Sequence, residues 1–203
     1  VTKYGTDPRT GRFYVSAGAL PGWGWGAKHN CDGTSATVCI NDGDTHNSPV
    51  EALESKYPIV LEEYALRQDS GGAGRWRGGL GTVQAIRVLG DARINSQIER
   101  TRCAPWGLFR GRDGLPNQVS VRREDGRVEE FSNGKLASLN LGPQDTLILR
   151  SGGGGGYGDP HERPPELVRR DVLEGYVSLE RAAEHYGVVL DPKTLAVNWE
   201  ATR

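Results

Sequence analysis

With 25 basic against 26 acidic side chains and a formal net charge of −1, the 203-residue chain has no cationic surplus to displace counterions from a phosphate backbone or an acidic membrane, which argues against nucleic-acid and membrane-surface roles. Its 29 glycines are clustered rather than periodic, so collagen-like and low-complexity readings fail, and no apolar run approaches membrane-spanning length. The length suffices for one domain, or two small ones, with a sizeable core.

The chain opens at Val1 in a β-rich passage, contains no methionine and starts with no signal peptide. The expectation is a soluble carboxyl-terminal piece of a longer chain, or a processed subunit. Asp7-Pro8-Arg9-Thr10-Gly11 is a turn signal ahead of Arg12-Phe13-Tyr14-Val15, and together they predict a hairpin. Residues 34–40, rich in Thr and Val between Asp32-Gly33 and Asn41-Asp42-Gly43, predict another strand. From Ser48 the pattern turns helical, with Pro49 at the first position, Glu51 and Glu54 in the early turns and Tyr57-Pro58 as a stop. Strands are predicted over 59–66, 82–89 and 94–98, in a hairpin over 119–123 and 127–131 around Asp125-Gly126, and over 136–141 and 146–149. Finally, Pro164 or Pro165 opens a helix to Glu174 that Gly175 stops, and Ser178 caps a second over 179–186 that Gly187 stops. The sum is an α+β fold, with a β-rich antiparallel body and glycine-rich loops over 1–160 and a helical tail over 161–203.

The loops are unusual. Asp69-Ser70-Gly71-Gly72-Ala73-Gly74-Arg75-Trp76-Arg77-Gly78-Gly79-Leu80-Gly81 is echoed by Pro21-Gly22-Trp23-Gly24-Trp25-Gly26 before it and by Gly152-Gly153-Gly154-Gly155-Gly156-Tyr157-Gly158-Asp159-Pro160 after it. Glycine at this density costs too much backbone entropy unless positive φ or close backbone approach demands it, and a flexible linker would not carry Trp, Tyr and Arg. Gly71, Gly72, Gly74, Gly78, Gly79 and Gly81 are therefore read as an ordered structural loop around which the chain is organised.

Several motifs fail on their chemistry. Asp69-Ser70-Gly71-Gly72 looks like the nucleophile loop of chymotrypsin-like proteases, but His29 and Ser70 stand too close in sequence to come from two complete barrels. A Gly-x-Ser-x-Gly elbow fails at Gln68. His29, Cys31, Cys39 and His46 lie near one another, yet only His29 and Cys31 are closely paired, so no metal ligand is assigned. No Gly-Lys-Ser/Thr follows any glycine stretch, which leaves a phosphate cradle unsupported. Cys31, Cys39 and Cys103 form no small-scaffold framework and suit reduced thiols in a cytoplasm. Arg75-Trp76-Arg77 and Arg100-Thr101-Arg102 read either as oxyanion clamps or as ion-pair partners of Glu51, Glu54, Glu62 or Glu99.

Taken in order, the loops resemble the hydantoinase B/5-oxoprolinase family, which includes subunits of ATP-dependent ketone carboxylases. The resemblance rests on Gly24-Trp25-Gly26-Ala27 with Asp32-Gly33, on Asn47-Ser48-Pro49-Val50-Glu51-Ala52-Leu53-Glu54 with Tyr57-Pro58, and on the 69–81 loop. It continues through Pro105-Trp106-Gly107-Leu108, Gly153-Gly154-Gly155-Gly156-Tyr157-Gly158-Asp159-Pro160 and the tail motif Ala182-Ala183-Glu184-His185-Tyr186-Gly187-Val188. Phe109-Arg110-Gly111-Arg112 departs from it, since the family more often has a glycine pair there.

The resemblance implies the carboxyl-terminal part of a B-type protein whose amino-terminal part binds a divalent metal. It also implies a hydantoinase A-type partner that uses ATP with Mg to activate the substrate. The expected reaction on this small-molecule substrate is opening of a cyclic amide of the hydantoin or 5-oxoproline type; the alternatives are ketone carboxylation and an assembly fragment without chemistry of its own. Glu51 and Glu54 are the candidate catalytic residues, as groups that can position water, and Asn47, Arg75, Arg100 and Arg102 the candidate substrate-binding residues, as amide and oxyanion partners. The enzyme reading predicts a concave pocket lined by the Trp–Gly loops, with Asn47 and at least one arginine in it. The assembly reading predicts a flat apolar face and polar groups spent on salt bridges.

Overall fold

The computed structural model describes residues 1–17, 22–38 and 47–202. Along the chain run β1 (Thr2–Thr6), β2 (Phe13–Ala17), α1 (Val50–Lys56), β3 (Ile59–Leu66), β4 (Thr82–Val88), β5 (Ala92–Gln97), β6 (Gln118–Arg122), β7 (Val128–Phe131), β8 (Lys135–Leu141), β9 (Thr146–Arg150), α2 (Pro165–Leu173) and α3 (Leu179–Tyr186). They form an α+β fold with two antiparallel sheets, ordered β2-β1-β5-β8 and β3-β4-β9-β6-β7.

The two-residue period of a strand decides which side chains meet between the sheets. On β5, Ala92, Ile94 and Ser96 are buried while Arg93, Asn95 and Gln97 are exposed. Ile94 and Leu141 from one sheet join Ile86, Val88, Val119, Val121, Leu147 and Leu149 from the other in a single core. Each such aliphatic side chain contributes about 1.5–3 kcal/mol on burial.

Residues 34–38 do not form the strand that their Thr and Val content predicts. Thr37 makes an isolated bridge with Trp23, while Trp25 N–H donates to Thr34 O and Ala36 N–H to Leu80 O, so loop partners consume the backbone groups a sheet would use. Residues 39 and 40, the rest of that predicted strand, lie outside the described residues.

The axis of the loops is the segment 152–158 rather than 69–81. A Cβ on Gly153 would stand 1.8 Å from Ser70 O and one on Gly156 2.2 Å from Ala73 O, so both face the 70–73 stretch. Gly152 and Gly155 face Leu115 and Trp106 of the next loop, and Gly154 faces Trp25. Directions that repeat every three residues are those of a polyproline II helix, which makes no internal hydrogen bonds. Its backbone bonds run outward instead: Gly154 N–H to Gly79 O at 2.9 Å, Gly156 N–H to Arg112 O at 2.9 Å, and Gly72 N–H to Gly154 O at 2.8 Å. Glycine is required here because backbones touch.

The tail is bolted to these loops. Val168, Val177, Ala182, Tyr186, Val188 and Leu190 enclose a second core that reaches Ala73. Ser178 Oγ accepts from Arg181 N–H, and Gly187, at φ 68°, ends α3. The Arg163 guanidinium donates to both Asp32 oxygens at 2.8 Å and lies 2.9 Å from Asp171 Oδ2, while Arg77 Nε lies 3.3 Å from Asp171 Oδ1. Burial opposes the charge on Asp32, but the Arg163 hydrogen bonds and charge hold its carboxyl below the usual range; burial pushes Asp171 up against the pull of both arginines. The predicted ion-pair partners are thereby corrected. Arg77 pairs with Asp171 and Arg75 with Glu162, while Glu62 takes Arg87 and Arg122, and Glu99 takes Lys135. α2 delivers Asp171 from 94 positions away, a proximity only the tertiary fold creates.

Candidate functional site

At their glycine-rich end the sheets part around a cavity of about 1630 Å³. Gln84 and Leu149 line it from one sheet and Ser96, Gln97 and Leu136 from the other, while Trp23, Trp106 and residues 152–155 close it from the loops. The floor is the glycine axis, whose missing side chains bring backbone up to the space.

Arg100 and Trp106 form one wall. The guanidinium lies 5.4 Å from the indole centroid, a cation–π contact, and among the described residues no carboxylate stands within ion-pair distance of it. Arg100 is left-handed at φ 52°, and its carbonyl accepts Asn117 N–H at 3.1 Å. Asn117 also donates from Nδ2 to Glu99 O at 2.7 Å and accepts Gly152 N–H at 2.6 Å. One amide side chain thus ties the arginine loop to the axis. Beside it the Lys135 ammonium, 2.7 Å from Glu99, holds that carboxyl below its usual range.

The structure disperses the six candidate side chains. Arg100 alone among them lines the cavity. Asn47 donates to Tyr64 Oη at 3.3 Å on β3, Glu51 is exposed on α1, and Glu54 accepts Leu61 N–H at 2.8 Å, which fastens α1 to β3. Arg75 is exposed against Glu162, and Arg102 is exposed. Gln84 and Asn117 were not singled out from sequence; a glutamine amid the apolar Thr82–Val88 strand was the available signal. Among the described residues no group of three His, Cys, Asp or Glu could hold a metal ion. His46 and Cys39 lie outside the described residues.

Residues 1–160 match the family described as Hydantoinase B/oxoprolinase. The chain belongs to this family. It is 33% identical over 166 residues to a Pseudomonas sp. (strain NS671) protein provisionally named as the B-type component of a D-/L-hydantoinase, covering 82% of this chain and 28% of that one. Over 152 residues it is 31% identical to the 5-oxoprolinase of Dictyostelium discoideum, covering 75% of this chain and 11% of that one. The ATP-dependent caprolactamase structure from Pseudomonas jessenii superposes with a TM-score of 0.84 at 30% identity, over 99% of this chain and 36% of that one. A nucleotide-free acetone carboxylase structure superposes with a TM-score of 0.86 at 21% identity, over 99% of this chain and 31% of that one, which is a likeness of fold. The hydantoinase B-family chain described here thus spans about a third or less of the relatives it matches.

Proposed function

We propose that this chain is part of the B-type subunit of an ATP-dependent amidohydrolase that opens a cyclic amide of the hydantoin or 5-oxoproline type, after a hydantoinase A-type partner has activated the ring with ATP and Mg. The observation that carries the reading is the Arg100–Trp106 wall of the cavity. An indole face packs a planar ring, and a guanidinium fork with no carboxylate within ion-pair distance among the described residues holds the oxygen on which negative charge develops. Gln84 offers an amide to the ring's own amide edge. In this division of labour, the chain's residues bind and orient the ring, and a divalent metal that activates water belongs to the amino-terminal part of the B-type protein.

Hydrolysis is favoured over carboxylation because the likeness to caprolactamase extends to sequence, at 30% identity, whereas that to acetone carboxylase is one of fold. The exposed free thiols of Cys31 and Cys103 suit a cytoplasmic setting.

The test is Arg100→Ala in the intact enzyme. Loss of the guanidinium lowers kcat/KM by roughly 10²–10³-fold with little change in thermal midpoint, and Arg100→Lys recovers part of the loss. Unchanged kinetics in Arg100→Ala would overturn the assignment.

A further inference from the structure

Beyond the cavity, the loop between β5 and β6 ends in a tip whose geometry no part of the proposed chemistry uses. Phe109 and Arg110 are both left-handed, at φ 50° and 74°, and Gly111 N–H donates to Leu108 O at 2.9 Å, the pattern of a type I′ turn. That turn favours Gly, Asn and Asp, and each ordinary side chain placed in it is strained. Among the described residues nothing buries the turn to offset this strain, since Phe109 is 71% exposed. The Arg110 side chain is 82% exposed and makes a 3.3 Å contact with Asp159, while the Phe109 ring packs tilted by 48° against Tyr157 with centroids 4.9 Å apart. Aromatic and arginine side chains held outward on a strained turn have the composition of a binding hot spot.

We propose that this tip is the docking element for the A-type subunit, inserting Phe109 into an apolar socket rimmed by carboxylates. The choice of partner rests on the function proposed above. Two features of the tip support it. Residues 101–113 carry three arginines, Arg102, Arg110 and Arg112, against Asp113 alone, a local surplus of two positive charges in a chain of net charge −1, so the complementary surface is acidic. Trp106 begins the tip and also lines the cavity, so a subunit seated there stands at the mouth into which its activated product must pass.

The test uses the intact protein and its co-expressed A-type subunit, and compares wild type with Phe109→Gly and Arg110→Gly. Glycine fits both φ values, so each variant keeps the wild-type thermal midpoint or exceeds it. Each weakens the complex by roughly tenfold or more, and the wild-type affinity falls as salt rises. A complex of wild-type affinity in both variants overturns the docking role while leaving ATP-dependent ring opening intact. If the wild-type protein forms no complex with the A-type subunit, the functional reading fails and the docking role with it. Variants that unfold early would show instead that the tip serves the fold, which also overturns the proposal.

Discussion

Gly154 has no room for a methyl group. A Cβ there would lie 1.9 Å from Trp25 O and 2.1 Å from its carbonyl carbon, and neither backbone can withdraw without breaking the axis. Gly126, in the β6–β7 turn, is a contrasting case: its φ is +84°, yet nothing lies within 4 Å of a Cβ. The two alanine variants separate close approach from backbone conformation. Gly126→Ala costs about 1–2 kcal/mol, the penalty of a left-handed alanine. Gly154→Ala costs upward of about 4 kcal/mol or prevents folding. Urea unfolding of both proteins measures the difference, and equal losses would mean that the axis is looser than the contacts show.

At the scale of elements, the tail and the loops meet at Asp32, Arg163, Asp171 and Arg77. Because the folded-state pKa of Asp32 is depressed, its contribution to stability is present above the unfolded value of about 3.9 and is lost as pH falls through the folded one. The thermal midpoint of the wild type should therefore drop on acidification below about pH 4 more steeply than that of Asp32→Asn, which is less stable at pH 7 but lacks this titration. Parallel pH profiles would show that Asp32 does not hold the tail.

Elements whose signals are local were readable from sequence. Asp125-Gly126 marked the β6–β7 hairpin, and Ser178 and Gly187 marked the ends of α3. Residues 34–38 misled because Thr and Val report β propensity, while the partners that overrode it, Trp23 and Leu80, lie in loops. The cavity was legible in outline, since the Trp–Gly loops do line it, with Arg100 on its wall. Asn47 was expected there and bonds to Tyr64 instead, because the chemistry of an amide shows what it can bind but not which neighbour the fold brings to it. The threefold packing of residues 152–156 was invisible for the same reason: glycines carry no side-chain pattern from which a neighbour can be inferred.

At the scale of the molecule, Trp106 and Arg100 form a wall over a glycine floor, to which the proposed function gives binding and orientation, leaving activation to a partner. The family relation places the chain in the hydantoinase B/oxoprolinase family, and the relatives it matches are about three times its length or more. The most direct measurement is ring opening by the intact protein purified with its A-type subunit. Hydantoin and 5-oxoproline are supplied with and without ATP and Mg, beside a parallel assay with a ketone and bicarbonate. The expected result is ATP-dependent opening of a cyclic amide and no carboxylation. Ketone carboxylation without ring opening, or no reaction with either cyclic amide in the presence of ATP, would contradict the proposed function.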